Sequence, residues 1–253
     1  MIKVAVCGAC GKMGANILNL LEGDDEAVAV VGVDPMGESG LVKTVKSFTE
    51  VATEGSDKPD VIIDFSSPKA LAGELEYAVN NNVPVVIGST GFSEEQLKAI
   101  DEASTKVAIF RTANFSLGVN LLCKLVKEAA ETLGEKFDIE IIEKHHSQKV
   151  DAPSGTALML AKSANEAFGG TKPYVNGREG ICGKRGNEIG LHAVRGGTIV
   201  GEHEVDFCGE DEIITLSHSA RSKRVFAAGA IKAAKWLAGK GAGKYDMGDL
   251  LAD

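Results

Sequence analysis

The densest chemistry in this chain lies in one stretch, Glu143-Lys144-His145-His146-Ser147-Gln148-Lys149-Val150-Asp151-Ala152-Pro153-Ser154-Gly155-Thr156-Ala157. Two adjacent histidines and a lysine run into a Pro-Ser-Gly-Thr sequence that reads as a helix start. A helix beginning there aims unsatisfied N–H groups at an anion, and Thr156 adds a hydroxyl donor. Lys149 and one histidine can supply protons and positive charge. The natural occupant is a carboxylate of a small substrate. Two blander readings stand beside this one: a solvated polar loop, and a metal pair at His145 and His146. No H-x-x-x-H or carboxylate-bearing zinc spacing accompanies the pair, so no metal is expected. His192, His203 and His218 are isolated in sequence and read as structural.

A second constellation opens the chain. An apolar run at 2–6 enters Gly8-Ala9-Cys10-Gly11-Lys12-Met13-Gly14. The spacing G-x-x-G-x-x-G differs by one step from the usual dinucleotide fingerprint, but the physical demands are the same. Gly8 permits a tight turn, Gly11 lets backbone approach a pyrophosphate, and Gly14 lets the helix pack close to the strand. Free N–H groups at the helix start then face the phosphates. Asp34 ends the next apolar run, where a carboxylate accepts hydrogen bonds from adenosine ribose hydroxyls and repels a 2′-phosphate. Pro35 and Met36 bring no cation in its place, so NADH is the expected cofactor, with NADPH possible. Cys7 and Cys10 have C-x-x-C spacing. They fall on the phosphate turn with no second pair, and read as small residues beside a cofactor rather than a redox or metal site.

The elements that must position these residues follow from the apolar pattern. Strands are predicted at 2–6, 28–33, 61–65, 83–87 and 107–110, with helices at 13–21, 68–80 and 94–103 between several of them. Continuous β-branched strands alternating with helices imply a parallel sheet covered on both faces, a Rossmann-like, doubly wound α/β fold. The pattern then changes: a helix at 118–133, a strand at 138–143, a helix at 155–168, a loop at 170–190, and strands at 190–195, 198–208 and 212–218. That order suits a second α+β domain with a mixed sheet. A last helix at 225–237 is expected to return to the first domain. The domains read as 1–116 plus 225–253 for dinucleotide binding, and 117–224 for substrate binding and oligomerisation.

Composition narrows the function classes. The chain has 253 residues and a net charge of −9. That charge argues against a nucleic-acid or anionic-membrane surface. No apolar run reaches the length of a membrane span, and the opening residues lack a signal peptide's layout. The five cysteines form no visible disulfide framework, which suits a reducing cytoplasm.

The segment from His145 to Ala157 resembles the signature of the dihydrodipicolinate reductase family, in which paired histidines, a lysine and D-A-P-S-G-T-A occur at this spacing. The likeness extends over nearly the whole chain: the opening glycine turn, Gly88-Ser89-Thr90-Gly91-Phe92, Ala113-Asn114-Phe115-Ser116-Leu117-Gly118-Val119-Asn120, Val200-Gly201-Glu202-His203 and Phe226-Ala227-Ala228-Gly229-Ala230 match in order. The resemblance implies reduction of 4-hydroxy-tetrahydrodipicolinate with NAD(P)H in the diaminopimelate route of lysine biosynthesis, in a homotetramer built through the second sheet. It implies acid–base and proton-donor positions at His145 and Lys149, and substrate carboxylate contacts at His146, Gly155 and Thr156. It lines the cofactor with Gly8, Ala9, Cys10, Gly11, Lys12, Met13, Asp34, Gly88, Ser89, Thr90, Ala113, Asn114, Phe115 and Ser116. Ser147 and Gln148 depart from members carrying arginine and histidine there. Lys223 stands where many have arginine, and a point charge does not replace a bidentate fork. Two rivals stay open: a Rossmann dehydrogenase of another imine or amino acid, such as an aspartate dehydrogenase-like enzyme, and a non-catalytic NAD-sensing protein.

Overall fold

Strand β1 (Ile2–Cys7) is apolar except for Lys3 near its start and buried from Val4 onward, because it lies inside a sheet covered on both faces. A computed structural model describes residues 1–253 and pairs this strand with β2 (Ala27–Val33) and β4 (Val61–Asp64), both parallel. The sheet extends through β5 (Val85–Ile87), β6 (Ala108–Arg111) and β12 (Gly243–Tyr245) on one side, and β3 (Thr44–Val45) on the other. The strand order is β12-β6-β5-β4-β1-β2-β3, parallel throughout. The chain winds outward from β1 through β2 and β3, then returns to β4 and winds the opposite way. The reversal falls between β1 and β4, the place where doubly wound sheets open a crevice at their carboxyl ends.

Helices α1 (Lys12–Leu21), α2 (Leu71–Asn81) and α3 (Glu94–Ser104) connect these strands. Helix α3 starts with a capping box, Ser93 Oγ accepting the Gln96 N–H and Gln96 Oε1 accepting the Ser93 N–H. Helix α6 (Arg224–Leu237) packs against α1 and against β4, β5 and β6, and the short α7 (Met247–Ala252) follows β12. Gly229 makes α6's approach possible: a β-carbon there would stand 1.8 Å from the Phe115 carbonyl oxygen.

The chain divides into two units, Met1–Phe115 with Arg224–Asp253, and Ser116–Lys223. The second unit holds a five-stranded mixed sheet of order β11-β10-β7-β9-β8. Strands β10 (Gly201–Cys208) and β11 (Ile213–Ala220) are antiparallel, as are β10 and β7 (Asp138–His145). Strands β9 (Ile189–Arg195) and β8 (Tyr174–Asn176) continue the sheet in parallel with β7. One face packs on α4 (Leu117–Leu133) and α5 (Gly155–Glu166), with Val126, Ile141, Leu160, Val205 and Phe207 wholly buried between. The expected α/β-plus-α+β architecture is the one found. Four short elements escape the sequence pattern: β3, β12 and α7, and β8 inside the predicted loop at 170–190. None is long enough to carry a period. The strand predicted from 198 begins at Gly201, because residues 196–200 turn between β9 and β10.

Candidate functional site

The turn after β1 is built from glycines that admit no side chain. Gly8 has φ +80°, and a β-carbon on it would meet the Phe65 carbonyl oxygen at 2.7 Å. One on Gly14 would stand 2.1 Å from the Gly8 carbonyl oxygen. Gly11 precedes α1 without any side-chain cap, and the first turn of α1 holds no acidic residue, so its N–H groups remain for an anion. Asp34 is buried just past β2; its Oδ2 accepts the Cys10 N–H at 3.0 Å and its Oδ1 accepts the Met36 N–H at 2.9 Å. The carboxylate thus pins the glycine turn to the end of β2 and retains lone pairs for a further donor. A cavity of about 610 Å³ opens here, lined by Gly8, Gly11, Asp34 and Ser66 and, on its walls, by Lys46 and Lys69. The two lysines come from β3's end and the turn before α2, and nothing in their local sequence marked them.

Gly88, Ser89 and Thr90 follow β5, and Ala113, Asn114 and Phe115 follow β6, at neighbouring carboxyl ends of the same sheet. A β-carbon on Gly88 would collide with the Phe65 ring at 2.4 Å, and Phe65 in turn packs 5.4 Å from Phe115. The buried Ser89 hydroxyl has no partner within the protein, a donor held ready for something else. A dinucleotide fits this set: a turn open to close backbone approach, uncapped helix N–H groups, a buried carboxylate with lone pairs to spare and an unspent hydroxyl. Burial pushes the Cys7 thiol up, and burial with the Asp34 charge pushes Cys10 up, so both thiols stay protonated at neutral pH and are poor nucleophiles.

The second constellation sits on one face of the mixed sheet. Along β7 the residues alternate, and Ile139, Ile141, Glu143 and His145 all point to the helix-covered side. Glu143 and His145 are therefore neighbours on that face, and His145 Nδ1 lies 2.5 Å from Glu143 Oε2. Parallel register sets Arg195 at the end of β9 beside His145, and its guanidinium grips Glu143 at 2.8 and 2.7 Å. Glu143 Oε1 also accepts the Ser154 N–H at 3.0 Å. Burial alone would raise the Glu143 pKa, but Arg195 and His145 hold the carboxyl below its ordinary range.

Antiparallel register places His203 of β10 opposite Glu143, and its ring meets that of His145 edge-on at 5.1 Å. Ser154 caps α5 by accepting the Ala157 N–H, and its hydroxyl lies 3.0 Å from His203 Nε2. Burial, with repulsion from His145, His218 and Lys149, drives the His203 pKa from 6.5 to about 4. His203 is thus neutral at physiological pH. Lys149 Nζ pairs with both oxygens of Asp151 at 2.8 and 2.9 Å, and Arg195 also donates to the Asp151 carbonyl oxygen at 2.7 Å. His146 is half-buried just past β7, and its carbonyl oxygen accepts the Lys149 N–H. Gly155 and Thr156 open α5, whose first turn has no acidic residue. Ser116, expected beside the cofactor, caps α4 by accepting the Val119 N–H at 3.2 Å. Lys223 closes the second unit in the turn before α6.

The second unit accordingly joins a histidine, a lysine-bearing segment and the Ser154-capped start of α5 through a buried carboxylate and an arginine. Sequence reasoning gave Glu143 and Arg195 no place in the site, read Ser154 only as part of a helix start and read His203 as structural. Glu143 did leave a signal, a carboxylate in the buried phase of an alternating strand. Arg195 and His203 left none, because only strand pairing brings them across.

The model described as "Dihydrodipicolinate reductase, N-terminus" matches residues 2–115, and "Dihydrodipicolinate reductase, C-terminus" matches 118–251. A 4-hydroxy-tetrahydrodipicolinate reductase of Caldanaerobacter subterraneus subsp. tengcongensis is 49% identical over 99% of this chain and 98% of its own length. One from Clostridium novyi is 46% identical over 99% and 98%. Among solved structures, a dipicolinate-bound dihydrodipicolinate reductase from Paenisporosarcina sp. TG-14 superposes with a TM-score of 0.80 at 29% identity, covering 97% of each chain. A probable dehydrogenase from Thermotoga maritima shares the fold, with a TM-score of 0.63 at 13% identity, covering 98% of this chain and 92% of its own. On the strength of both halves and of these full-length relatives, the chain belongs to the dihydrodipicolinate reductase family.

Proposed function

We propose that the chain reduces 4-hydroxy-tetrahydrodipicolinate to tetrahydrodipicolinate with NAD(P)H, in the diaminopimelate route to lysine. The observation that supports this reading is the junction of β7 and α5, a short connection that carries His145 at a strand end, Lys149 in the segment between and Gly155 and Thr156 at a helix start, groups suited to one small dianion. Residues 1–116 with 225–253 bind the nucleotide in this reading, and 117–224 bind the substrate and build a homotetramer. Loss of the 4-hydroxyl together with a ring proton as water would leave a conjugated cyclic imine, and a reduced nicotinamide held by these residues would supply hydride to a conjugated carbon of it. Lys149 delivers the balancing proton to the carbon or nitrogen where electron density collects, and His145 holds the substrate and tunes that donor. His146, Gly155 and Thr156 grip carboxylates, and the positive helix start offsets the negative charge arriving with hydride. Pairing with Asp151 at 2.8 Å holds the Lys149 side chain in place until substrate displaces that carboxylate.

The nucleotide is held by Gly8, Ala9, Cys10, Gly11, Lys12 and Met13 at its phosphates and by Asp34 at the adenosine ribose. Gly88, Ser89, Thr90, Ala113, Asn114, Phe115 and Ser116 serve its nicotinamide end. Asp34 favours NADH, whereas Lys46 and Lys69 on the cavity wall keep NADPH admissible. Free thiols at all five cysteines support a cytoplasmic setting. The test is a coupled assay in which the unstable substrate is generated enzymatically and nicotinamide absorbance is followed with NADH and NADPH separately. Substrate-dependent loss of absorbance is expected with both. A flat trace with both cofactors, from protein that still binds NADH, rejects the reading.

A further inference from the structure

We infer that Glu143 is a positioning residue for the reaction: with Arg195 as its counter-ion, it locks the ring of His145 and the start of α5 into one register. This rests on the proposed role of His145.

The argument begins with valence. An ionised carboxylate only accepts hydrogen bonds, so the Nδ1 atom facing Glu143 Oε2 at 2.5 Å must carry the proton. That leaves Nε2 as the working nitrogen. Gly201 keeps its approach open, since a β-carbon there would stand 3.1 Å from Nε2. The other oxygen, Oε1, accepts the Ser154 N–H at 3.0 Å. One planar group therefore sets both the ring and the residue that caps the anion-binding helix. Ser154 uses its backbone for Glu143 and its side chain for the α5 cap and His203, so the cap cannot move without disturbing all three.

A carboxylate 0% exposed costs several kcal/mol unless it is paired. Arg195 supplies the pair with a two-pronged grip, and the same guanidinium reaches the Asp151 and Val194 carbonyl oxygens at 2.7 Å. Arg195 thereby ties the segment bearing Lys149 and Asp151 to the strand bearing His145. The charged and titratable groups around His145 are Glu143 on β7, Arg195 on β9, His203 on β10 with His218 beyond it on β11, and Lys149 and Asp151 in the connecting segment. His203 is neutral, Arg195 is spent on Glu143, and Lys149 is paired with Asp151. Glu143 is thus the charge in contact with the ring.

Three measurements test this. In the wild-type protein, ring nitrogen NMR shifts identified as His145 by their loss in His145→Asn should show the proton on Nδ1 when the ring is neutral; a proton on Nε2 overturns the inference without any change at Glu143. In Glu143→Gln, kcat should fall at least about tenfold, within the 10²–10⁴ expected of a whole general acid, with a smaller change in KM. The limb of the kcat/KM profile set by His145 should move to lower pH, because the imidazolium loses its neighbouring negative charge. NADH affinity, which belongs to the other unit, should stay unchanged. In the double variant Glu143→Gln with Arg195→Met no buried charge is left alone, so folding should recover while the displaced limb persists. Recovery of both stability and turnover would make the pair merely structural and overturn the inference. So would an unmoved pH limb in Glu143→Gln while His145→Ala is inactive. Near-normal turnover of His145→Ala is the separate signature that the underlying reading has failed.

Discussion

Two side chains, His145 and Lys149, carry the proposed proton chemistry. Replacing His145 or Lys149 with alanine should lower kcat by roughly two to four orders of magnitude, the scale of a lost general acid, with NADH binding intact. Steady-state kinetics of the two variants checks this, and near-normal turnover in both contradicts it. Asp34 acts on selectivity rather than rate. Its carboxylate faces the cavity that Lys46 and Lys69 also line, so Asp34→Ala should shift the kcat/KM ratio toward NADPH by about tenfold or more, the worth of one charged contact near 1.4 kcal/mol. Lys46→Ala should move the ratio the other way. An unchanged ratio in both variants would remove the ribose assignment.

At the scale of elements, two glycines set how closely helices approach the nucleotide crevice. A methyl group on Gly14 would overlap the Gly8 carbonyl oxygen at 2.1 Å, which is backbone and cannot swing aside. Gly14→Ala should therefore lift α1 from the phosphate turn, and calorimetry should find NADH affinity reduced at least tenfold. Gly229→Ala meets the Phe115 carbonyl oxygen at 1.8 Å and should push α6 from the loop after β6. Overpacking of this kind costs about 1–3 kcal/mol or more, readable as a lower denaturation midpoint. The starts of α4 and α5 are set by Ser116 and Ser154, and each cap is worth about 1 kcal/mol. For Ser154→Ala the catalytic loss should exceed that, because the same hydroxyl also meets His203.

For the whole molecule, acid is the condition most informative about the second unit. Below about pH 6.5 an unfolded chain takes up a proton on His203, which the buried ring refuses until about pH 4. The unfolded state binds more protons across that window, so stability falls as pH drops through it, by an amount on the order of 3 kcal/mol from this group. Urea denaturation at pH 7 and at pH 4.5 should show that loss, and His203→Asn should flatten the difference. A homotetramer predicts a sedimentation mass four times the 26.4 kDa of the chain. A monomer at micromolar concentration would refute that assembly. No helix is long and apolar enough to cross a membrane.

The strands of the first sheet and the long helices were legible in sequence because burial on two faces or one writes itself as continuous or periodic apolar residues. So was the glycine turn from Gly8 to Gly14, since steric exclusion at Gly8 and Gly14 is a local demand. The run from His145 to Thr156 was legible as a strand end and a helix start separated by a short connection. Short edge strands such as β3, β8 and β12 were not legible, because two or three residues carry no period and exist only by pairing with a neighbour. Nor was the company of His145. Arg195 and His203 lie 50 and 58 positions away, and only the parallel register of β9 and the antiparallel register of β10 bring them to Glu143. Local sequence determines which groups a segment can offer. Strand register, a property of the whole sheet, decided which of them meet and in what charge state.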